Sequence, residues 1–213
     1  MSKKELKQFV CQNCGSVYPK WQGKCDSCGE WNTIVEEVAG GGGFSNINYN
    51  KRKGKEIEFV SLSGIQEKLD RLSTQINELD RVCGGGLVSG SVILVGGDPG
   101  IGKSTLLLQA CSKVADLPQK PEVYYISGEE AIDQVRIRAK RLGLEKSPVN
   151  LASCTEIKDI ITTLEKSKAS VVVIDSIQTM YLDEVESTPG SVSQVRACSY
   201  ELIKLAKRKG FTL

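Results

Sequence analysis

The sequence predicts an α/β fold in which helices cover both faces of a parallel sheet, preceded by a small separate module at the N-terminus. Three observations support this fold class. Short β-rich runs alternate with helix-period stretches from about residue 57 onward, a glycine-rich string stands between a strand and a helix, and two cysteine pairs lie within the first 38 residues. Because strand and helix alternation builds βαβ units, the strands are expected to run parallel.

The composition is that of a folded globular chain with one main domain. The 213 residues are 40% hydrophobic and 25% charged, and their formal net charge is +2, so attraction to nucleic acid would have to come from local clusters of Lys and Arg. The chain contains no histidine. That absence excludes Ser/His/Asp triads, Cys/His dyads and every histidine-containing metal site.

The first residues carry no sign of export. Residues 1–9 are polar and rich in lysine, and no apolar run approaches the roughly 20 residues that cross a membrane. We therefore expect a cytoplasmic protein without a membrane partner. In that reducing setting its eight cysteines would be thiols or metal ligands rather than disulfides.

The chain divides by composition into three segments. Residues 1–38 hold half of the cysteines and both tryptophans, and they are expected to form a four-cysteine zinc finger. Residues 39–56 contain a run of glycines and a run of lysine and arginine, and they are expected to be a flexible linker. Residues 57–213 carry the regular strand and helix pattern of the core.

Apolar runs and stripes predict the elements of that core. The predicted strands are residues 91–95, 123–126, 149–152 and 171–174. Apolar residues at helical spacing predict three helices. Their apolar stripes are Ile132, Val135, Ala139 and Leu142, then Ile157, Ile160, Ile161 and Leu164, then Val195, Cys198, Leu202, Leu205 and Ala206. The apolar stretch Leu106 to Ala110 predicts a further helix. After the helix stop at Gly210, the last three residues begin either another strand of a core that is incomplete at its C-terminus or a short edge strand.

One string between a predicted strand and a predicted helix matches the phosphate-binding pattern G-x-x-x-x-G-K-[ST], and it reads Gly97-Asp98-Pro99-Gly100-Ile101-Gly102-Lys103-Ser104. Glycines let successive backbone N–H groups turn toward phosphate oxygens, and the helix N-terminus adds its dipole. Lys103 would bridge the β- and γ-phosphates, and the Ser104 hydroxyl would bind Mg²⁺, with Thr105 as a weaker second candidate. A chance glycine-rich turn is the alternative.

Acidic residues at two strand ends complete the predicted nucleotide site. Asp175 ends the last apolar run and is the candidate second Mg²⁺ ligand, whereas in isolation it would be a turn or cap residue. Glu129 and Glu130 follow another strand, and in a chain without histidine a carboxylate is the candidate general base. We assign that role to Glu129 and expect Glu130 to be a charge at a helix N-terminus. No guanine-reading string is present, so ATP is preferred over GTP.

Two C-x-x-C pairs, Cys11 with Cys14 and Cys25 with Cys28, are separated by ten residues, and a glycine follows each pair. This spacing is typical of a zinc site. Four thiolates leave no open coordination position, so the Zn²⁺ would be structural and would stabilise a short segment. A redox or disulfide pair is the alternative. The remaining cysteines lie in apolar stretches and are expected to be core thiols: Cys83, Cys111, Cys154 and Cys198.

Small polar residues follow the predicted Asp175 strand at residues 183–193 and lead into Gln194 and Arg196. A polar loop near a nucleotide site suits contact with a phosphate backbone. Basic clusters occur at residues 51–55 and 204–209, and along one helix at Arg136, Arg138, Lys140 and Arg141. Most of these are expected to be solvated helix faces.

Taken together, these motifs resemble the RadA (Sms) family of bacterial DNA repair proteins, which are relatives of the RecA recombinase. The resemblance covers nearly the whole chain from about Phe9. Besides the four-cysteine finger and the phosphate-binding loop, it rests on the strings Leu79-Asp80-Arg81-Val82 with Gly84-Gly85-Gly86, Ser127-Gly128-Glu129-Glu130, Asp175-Ser176-Ile177-Gln178-Thr179 and residues 187–196.

The resemblance implies a RecA-like P-loop core and a DNA-dependent ATPase. Such a protein would branch-migrate recombination intermediates with the RecA recombinase, as a homo-hexamer on single-stranded or branched DNA. It also implies that Lys103 and Ser104 contact ATP and Mg²⁺, that Asp175 is the Walker B carboxylate and that Glu129 is the catalytic acid. The loop at residues 188–193 would hold single-stranded DNA.

The sequence also departs from that family. Gln75, Asn77 and Ser89 replace more usual residues, and the family's K-N-R-F-G motif and Lon-protease-like C-terminal domain are not in this sequence. Two alternatives follow: a truncated, motor-inactive fragment of such a protein, and a zinc-finger binding module switched by nucleotide. A third, a signalling ATPase similar to KaiC, shares the nucleotide motifs and does not predict the finger.

Overall fold

The computed structural model describes residues 7–38 and 71–213, together with Phe59, Ser61 and Ser63. The predicted linker at residues 39–56 lies outside the described residues. The chain divides into two compact units, Met1–Leu69 and Asp70–Leu213. Of the helices in the described part, none combines the length and the apolarity needed to cross a membrane.

The described part of the N-terminal unit is a small antiparallel sheet. Strand β1 (Lys7–Cys11) pairs with β2 (Val17–Tyr18) on one side and with β3 (Ile34–Val38) on the other. Its fully buried apolar side chains are few among residues 8–36: Val10, Cys11, Cys25 and Ile34. A core this small contributes little hydrophobic stabilisation, so the fold depends on its cysteine cluster.

The second unit begins with a pair of short antiparallel strands that are separated in sequence by a short helix. Strand β4 (Arg71–Leu72) pairs with β5 (Leu87–Val88), and helix α1 (Asn77–Val82) lies between them in sequence. Gly86 has a φ of 126°, and a Cβ atom at this position would lie 2.8 Å from the Leu72 carbonyl oxygen. Only glycine combines this backbone angle with such a close approach of the two chain segments.

A parallel sheet of three strands forms the centre of the second unit, in the order β7-β6-β8. Its strands are β6 (Glu122–Ser127), β7 (Asn150–Ser153) and β8 (Ala169–Asp175), and they contain the predicted strands with β7 shifted by one residue. The register places Ser127 of β6 opposite Asp175 of β8. Two carboxyl-terminal strand ends therefore meet at one edge, where ligands bind in open α/β sheets.

Helices cover both faces of this sheet, as the sequence predicts. They are α2 (Lys103–Ala115), α3 (Ile132–Arg141), α4 (Ile157–Lys166) and α5 (Val192–Lys209), with a short 3₁₀ helix at Ile177–Thr179 after β8. Side chains of α2 and α3 pack with Val123, Tyr125 and Val171 in one apolar cluster. Side chains of α4 and α5 pack with Ile126 and Val172 in another. Successive strand residues thus point to opposite faces.

The predicted strand at residues 91–95 is not formed as such. Its backbone hydrogen bonds are made with Leu213, whose N–H donates to the Ser91 carbonyl at 2.9 Å and whose carbonyl accepts from the Ile93 N–H at 2.8 Å. The Leu94 side chain is 85% exposed. A ladder needs a partner strand, and in the described structure no segment pairs with residues 94 and 95.

The last three residues lie between this extended segment and β8. On the β8 side, the Thr212 N–H donates to the Ser170 carbonyl at 2.9 Å and the Thr212 carbonyl accepts from the Val172 N–H at 2.8 Å. Hydrogen bonds on both sides make them an interior segment, which favours the expected further strand over the alternative of a short edge strand. An apolar cavity of about 370 Å³ extends from Leu213 between Leu94 and Val173, and it reaches Lys103 and Asp175.

Candidate nucleotide site and metal centre

The glycine-rich loop folds around the head group of Lys103. Gly100 and Gly102 have φ angles of 78° and 103°, in the left-handed region that favours glycine. The Lys103 Nζ donates to the carbonyl oxygens of Gly97 at 2.7 Å and Asp98 at 2.8 Å. Helix α2 starts at Lys103 without a side-chain cap and without an acidic residue in its first turn. An ammonium group and an uncapped helix N-terminus therefore lie together, and both favour an anion.

Asp175 joins this loop to the end of the sheet. Its Oδ1 accepts a hydrogen bond from the Ser104 hydroxyl at 3.0 Å, so the two candidate Mg²⁺ ligands are in direct contact. Its Oδ2 accepts a hydrogen bond from the hydroxyl of Tyr125 on β6. Ser104, rather than Thr105, makes the contact with Asp175. Lys103 and Ser104 were predicted from the glycine-rich string and Asp175 from the end of a strand. The structure brings these two motifs together.

Glu129 lies at the same edge of the sheet. Its carboxylate accepts a hydrogen bond from the hydroxyl of Ser176, the residue after Asp175. The preceding Gly128 donates its N–H to the Asp175 carbonyl at 2.9 Å. A Cβ atom on Gly128 would lie 2.9 Å from the Met180 Cε, so the turn packs tightly against the segment after β8. Glu129 is thus held next to Asp175 by both backbone and side chain.

Glu130 and Arg138 form a partly buried ion pair beside that turn. Glu130 directly precedes Ala131, the N-cap of α3, so it lies at the helix N-terminus as expected, and its carboxylate also pairs with Arg138 of the same helix. Arg138 is not part of a solvated face, since its side chain is only 12% exposed, against 68% for Arg136. Burial acts to lower the pKa of Arg138, but the bond to Glu130 outweighs it and raises that pKa.

Tyr125 and Arg138 are the residues at this site that sequence patterns did not single out. Tyr125 is fully buried, and burial together with its bond to Asp175 raises its pKa above the usual value for tyrosine. In the sequence it looks like one more large residue of a buried strand. A buried phenol needs a partner for its hydroxyl, and this requirement was the available signal.

The four cysteines of the N-terminal unit form one cluster, with all Sγ atoms within 4.8 Å of one another. Two tight turns shape it. The Gly15 N–H donates to the Cys11 carbonyl and the Gly29 N–H to the Cys25 carbonyl, both at 2.8 Å. Gly15 and Gly29 have φ angles of 74° and 79°, which explains the glycine after each pair. Four soft thiol ligands at this spacing fit a tetrahedral metal ion.

Hydroxyl groups surround the sulfur atoms of this cluster. Thr33 Oγ1 lies 3.2 Å from Cys11 Sγ, and Tyr18 Oη lies 3.1 Å from Cys25 Sγ. Burial acts to raise the pKa of Cys11, but the hydrogen bonds from Thr33 and from the backbone outweigh it and lower that pKa to about 6. The surroundings of Cys11 therefore favour the thiolate form that metal ions bind. At Cys28, hydrogen bonds from Asn13 and the Glu30 backbone act to lower the pKa, but burial and the neighbouring sulfur atoms outweigh them and raise that pKa to about 11.

The other four cysteines belong to the second unit. Cys111 and Cys198 are fully buried, and Cys83 and Cys154 are partly buried. Burial raises the pKa of the Cys111 thiol to about 12. At neutral pH it is therefore an inert thiol packed among apolar side chains.

Gln194 is not available for nucleic-acid contact, although it follows the polar loop directly. It is 2% exposed on α5, and its side-chain amide donates to the carbonyl oxygens of Leu182, Val185 and Ser187. Its Oε1 accepts from the Leu182 N–H at 2.9 Å. Gln194 therefore anchors the loop from within, because each buried polar atom of its amide has a partner.

Comparison with known proteins identifies both units. Residues 61–213 match the AAA domain family, and residues 9–36 match the rubredoxin metal binding domain. The structure is similar to a KaiC-like protein from Pyrococcus horikoshii, with a TM-score of 0.52 at 20% identity over 68% of this chain and 70% of that one. This likeness and the parallel sheet confirm the predicted fold class.

Several curated relatives are named DNA repair protein RadA. The chain is 49% identical to that of Brucella abortus over 95% of its length, 44% identical to that of Bacillus subtilis over 99% and 42% identical to that of Escherichia coli over 100%. It spans about half the length of these relatives, 44%, 46% and 47% respectively. The chain thus belongs to the AAA domain family, and the predicted resemblance to the RadA proteins of DNA repair is confirmed over nearly its whole length.

Proposed function

We propose that the chain binds Mg²⁺-ATP at residues 97–105 and hydrolyses it in a DNA-dependent manner during recombinational repair. The observation that carries the proposal is the 3.0 Å contact between Ser104 Oγ and Asp175 Oδ1. It joins the end of the glycine-rich loop to the end of β8. A hydroxyl and a carboxylate side by side, next to an anion-binding loop, are the ligand set that P-loop proteins use for the metal of a bound triphosphate.

Each residue of the site has a distinct role in this proposal. The N–H groups of the loop and of the first turn of α2 bind phosphate oxygens, and Lys103 turns from the carbonyl oxygens of Gly97 and Asp98 to the β- and γ-phosphates. Ser104 and Asp175 hold Mg²⁺, which neutralises charge on the phosphates when it is bound. The donor set of oxygen atoms fits this ion.

Glu129 orients and deprotonates the attacking water in this proposal. Its hydrogen bond with Ser176 keeps the carboxylate at the same sheet edge as Asp175 while the group stays near solvent. A carboxylate at this position can accept a proton from water, provided that the water lies within hydrogen-bonding reach. Glu130 cannot do the same, because its carboxylate is paired with Arg138.

The metal of the four-cysteine cluster is proposed to be structural Zn²⁺. Two sulfur pairs, Cys11 with Cys28 and Cys14 with Cys25, lie 3.7 Å and 3.5 Å apart, so all four side chains are available to one ion. Four ligands close the coordination shell and leave no position for a substrate. The ion then contributes folding free energy rather than chemistry.

The printed function of the relatives, DNA repair, extends the proposal to partners. The predicted loop at residues 183–193, of which the last two residues lie in α5, would meet single-stranded or branched DNA, with its polar side chains on the backbone phosphates. Branch migration with the RecA recombinase, within a homo-hexameric ring, is the activity that we propose for the complete protein.

Isothermal calorimetry with ATP, with and without Mg²⁺, tests the nucleotide site. Lys103→Ala should weaken Mg²⁺-ATP binding by about 10- to 100-fold, the range expected for a lost charge-assisted contact. Lys140→Ala, which removes an exposed lysine from α3, should bind like the wild type. No heat of Mg²⁺-ATP uptake by the wild type, or equal binding by Lys103→Ala, would overturn the site.

Phosphate release with and without single-stranded DNA separates the two classes of function. Acceleration by DNA in the wild type and its loss in Glu129→Gln support the ATPase. Tight nucleotide binding without turnover would support the nucleotide-switched binding module instead. That alternative has one structural observation in its favour, because Trp21 and Trp31 of the N-terminal unit are 59% and 67% exposed and offer an aromatic surface to a partner.

A further inference from the structure

Both oxygens of the Asp175 carboxylate are held by hydroxyl groups from different elements. Ser104, at the start of α2, donates to Oδ1 at 3.0 Å, and Tyr125, in the neighbouring strand β6, donates to Oδ2. A carboxylate held at one oxygen can rotate about its last bond, whereas one held at both cannot. The orientation of Asp175 is therefore set by two partners, of which only Ser104 belongs to a known motif.

Tyr125 can act only as a donor in this arrangement. Its ring is 0% exposed and lies in the apolar cluster formed with α2 and α3. A phenol ordinarily has a pKa of about 10, so its hydroxyl carries a proton at neutral pH and donates it to the Asp175 carboxylate. The register pairs Tyr125 with Val173 and Ser127 with Asp175, which places the Tyr125 and Ser127 side chains on one face of the sheet.

Arg138 of α3 lies near the Tyr125 hydroxyl. The guanidinium is close enough to influence the pKa of Tyr125, and it is itself fixed by its ion pair with Glu130. One nitrogen, Nη1, is buried and makes no hydrogen bond within the described structure. A buried cation with a spare donor is retained at a cost in stability, which points to a role for the group beyond packing.

These contacts lie between the glycine-rich loop and the acidic turn. Ser104 and Tyr125 both donate to Asp175, and Arg138 pairs with Glu130, which is next to Glu129 in sequence. Glu129 in turn accepts a hydrogen bond from Ser176, which is next to Asp175. Tyr125 thus bonds directly to the candidate metal ligand, and Arg138 pairs with the neighbour of the candidate base.

We propose that Tyr125, with Arg138 near its hydroxyl, is a positioning residue that orients the Asp175 carboxylate toward the divalent ion of the bound nucleotide. This inference rests on the proposed function. It assigns to the site a residue outside the glycine-rich loop, the strand-end acid and the acidic turn. Tyr125 acts through Asp175 and does not touch the nucleotide.

The chain offers a matched control for the test. Tyr125→Phe removes one hydroxyl and leaves the ring. Tyr124→Phe makes the same change one residue earlier, where the hydroxyl donates to Glu122 at 3.1 Å on the opposite face of β6. Both variants lose one phenolic hydrogen bond to a carboxylate, and only the first loses it at Asp175.

Binding of a fluorescent ATP analogue is measured while Mg²⁺ is titrated, and Mn²⁺ bound in the presence of ADP is counted by electron paramagnetic resonance. For Tyr125→Phe we expect the metal concentration at half-saturation to rise about tenfold, the effect of losing one hydrogen bond to a charged group. Nucleotide affinity without metal should stay the same. Tyr124→Phe should match the wild type in both measurements.

The outcomes separate this inference from the function on which it rests. If the wild type needs Mg²⁺ and Tyr125→Phe needs no more of it, the positioning role is wrong and the nucleotide site stands. If the wild type binds no nucleotide, or binds it without regard to the metal, both are wrong.

A second variant is needed in case Tyr125→Phe fails to fold. Arg138→Lys keeps the charge beside Glu130 and loses the planar guanidinium. It should raise the metal concentration at half-saturation about two- to threefold. An unchanged requirement in that variant would overturn the proposal.

Discussion

The two units of the chain reach a stable fold by different means. In the N-terminal unit, few side chains are buried among the described residues, both tryptophans are exposed, and four sulfur atoms converge at one point. In the second unit, apolar clusters line both faces of a parallel sheet, and the charged groups lie at one edge. The difference teaches that the proposed metal would supply, in the first unit, the folding free energy that hydrophobic burial supplies in the second.

Loss of a metal ligand should have the largest effect and should be confined to the N-terminal unit. In Cys25→Ser we expect that unit to unfold, because structural zinc contributes on the order of 10–16 kcal/mol in zinc-finger peptides. Both tryptophans of the chain lie there, so their two indole N–H signals in an NMR spectrum report on it alone. They should move to random-coil positions in Cys25→Ser, and a chelator should do the same to the wild type.

The helical signal in circular dichroism provides the complementary measurement, since the described helices belong to the second unit. In Cys25→Ser this helical signal should still show a cooperative unfolding transition. Cys154→Ser, outside the metal cluster, should leave the indole signals unchanged. If the helical signal is lost together with the indole signals, the two units do not have separate sources of stability.

A cavity in the second unit should give the next largest effect, with the opposite pattern. Leu164 of α4 is fully buried in the cluster that covers one face of the sheet. Leu164→Ala should lower the free energy of unfolding by about 2–5 kcal/mol, which urea titration followed by circular dichroism measures. The indole signals should not change. Leu94→Ala, at a side chain that is 85% exposed, should cost little, and an equal loss in both variants would contradict the assigned core.

The smallest effect is expected from replacing Asp80, whose carboxylate is hydrogen-bonded to residues at the start of the second unit. It accepts hydrogen bonds from the Ser73 hydroxyl at 2.6 Å, the Thr74 hydroxyl at 2.7 Å and the Thr74 N–H at 2.8 Å. Burial acts to raise the pKa of Asp80, but these bonds outweigh it and lower that pKa. The stabilisation is therefore complete above the unfolded value of about 4 and is lost as the pH falls through the lower folded value.

Asp80→Asn should lower the free energy of unfolding by about 1–2 kcal/mol at pH 7. The gap between wild type and variant should shrink as the pH falls below about 4, because the wild type then loses the same contribution. Urea titrations at a series of pH values measure this. Asp116→Asn, at an exposed residue, should show no such trend. A gap that widens in acid would mean that the Asp80 contacts do not favour the ionised form.

Much of this architecture could be predicted from the sequence, for reasons specific to each element. The runs 123–126 and 171–174 are short, apolar and β-branched, so their place in a buried parallel sheet followed directly. Lys103, Ser104 and Asp175 were proposed as site residues because a phosphate site demands those residue types at those positions, and the structure brings Ser104 and Asp175 into contact. The cysteine spacing likewise predicted the cluster before any coordinates.

The parts that the sequence did not predict depend on contacts between distant elements. Tyr125 and Asp175 are 50 residues apart, and periodicity assigns each to a strand without showing that their side chains meet. Arg138 stands among exposed basic residues of one helix, and only its partner Glu130 distinguishes it. The run 91–95 has the composition of a strand, but a strand also needs a neighbour, and composition carries no information about the neighbour.

The anchoring of the polar loop by Gln194 makes the loop and the first turn of α5 move together. One amide group spans three carbonyl oxygens of the loop and sits on a helix whose buried face packs over β8. A strand of DNA that displaced the loop would therefore shift α5 as well. Mechanical force applied at residues 182–187 would in this way reach β8, the strand that ends in Asp175.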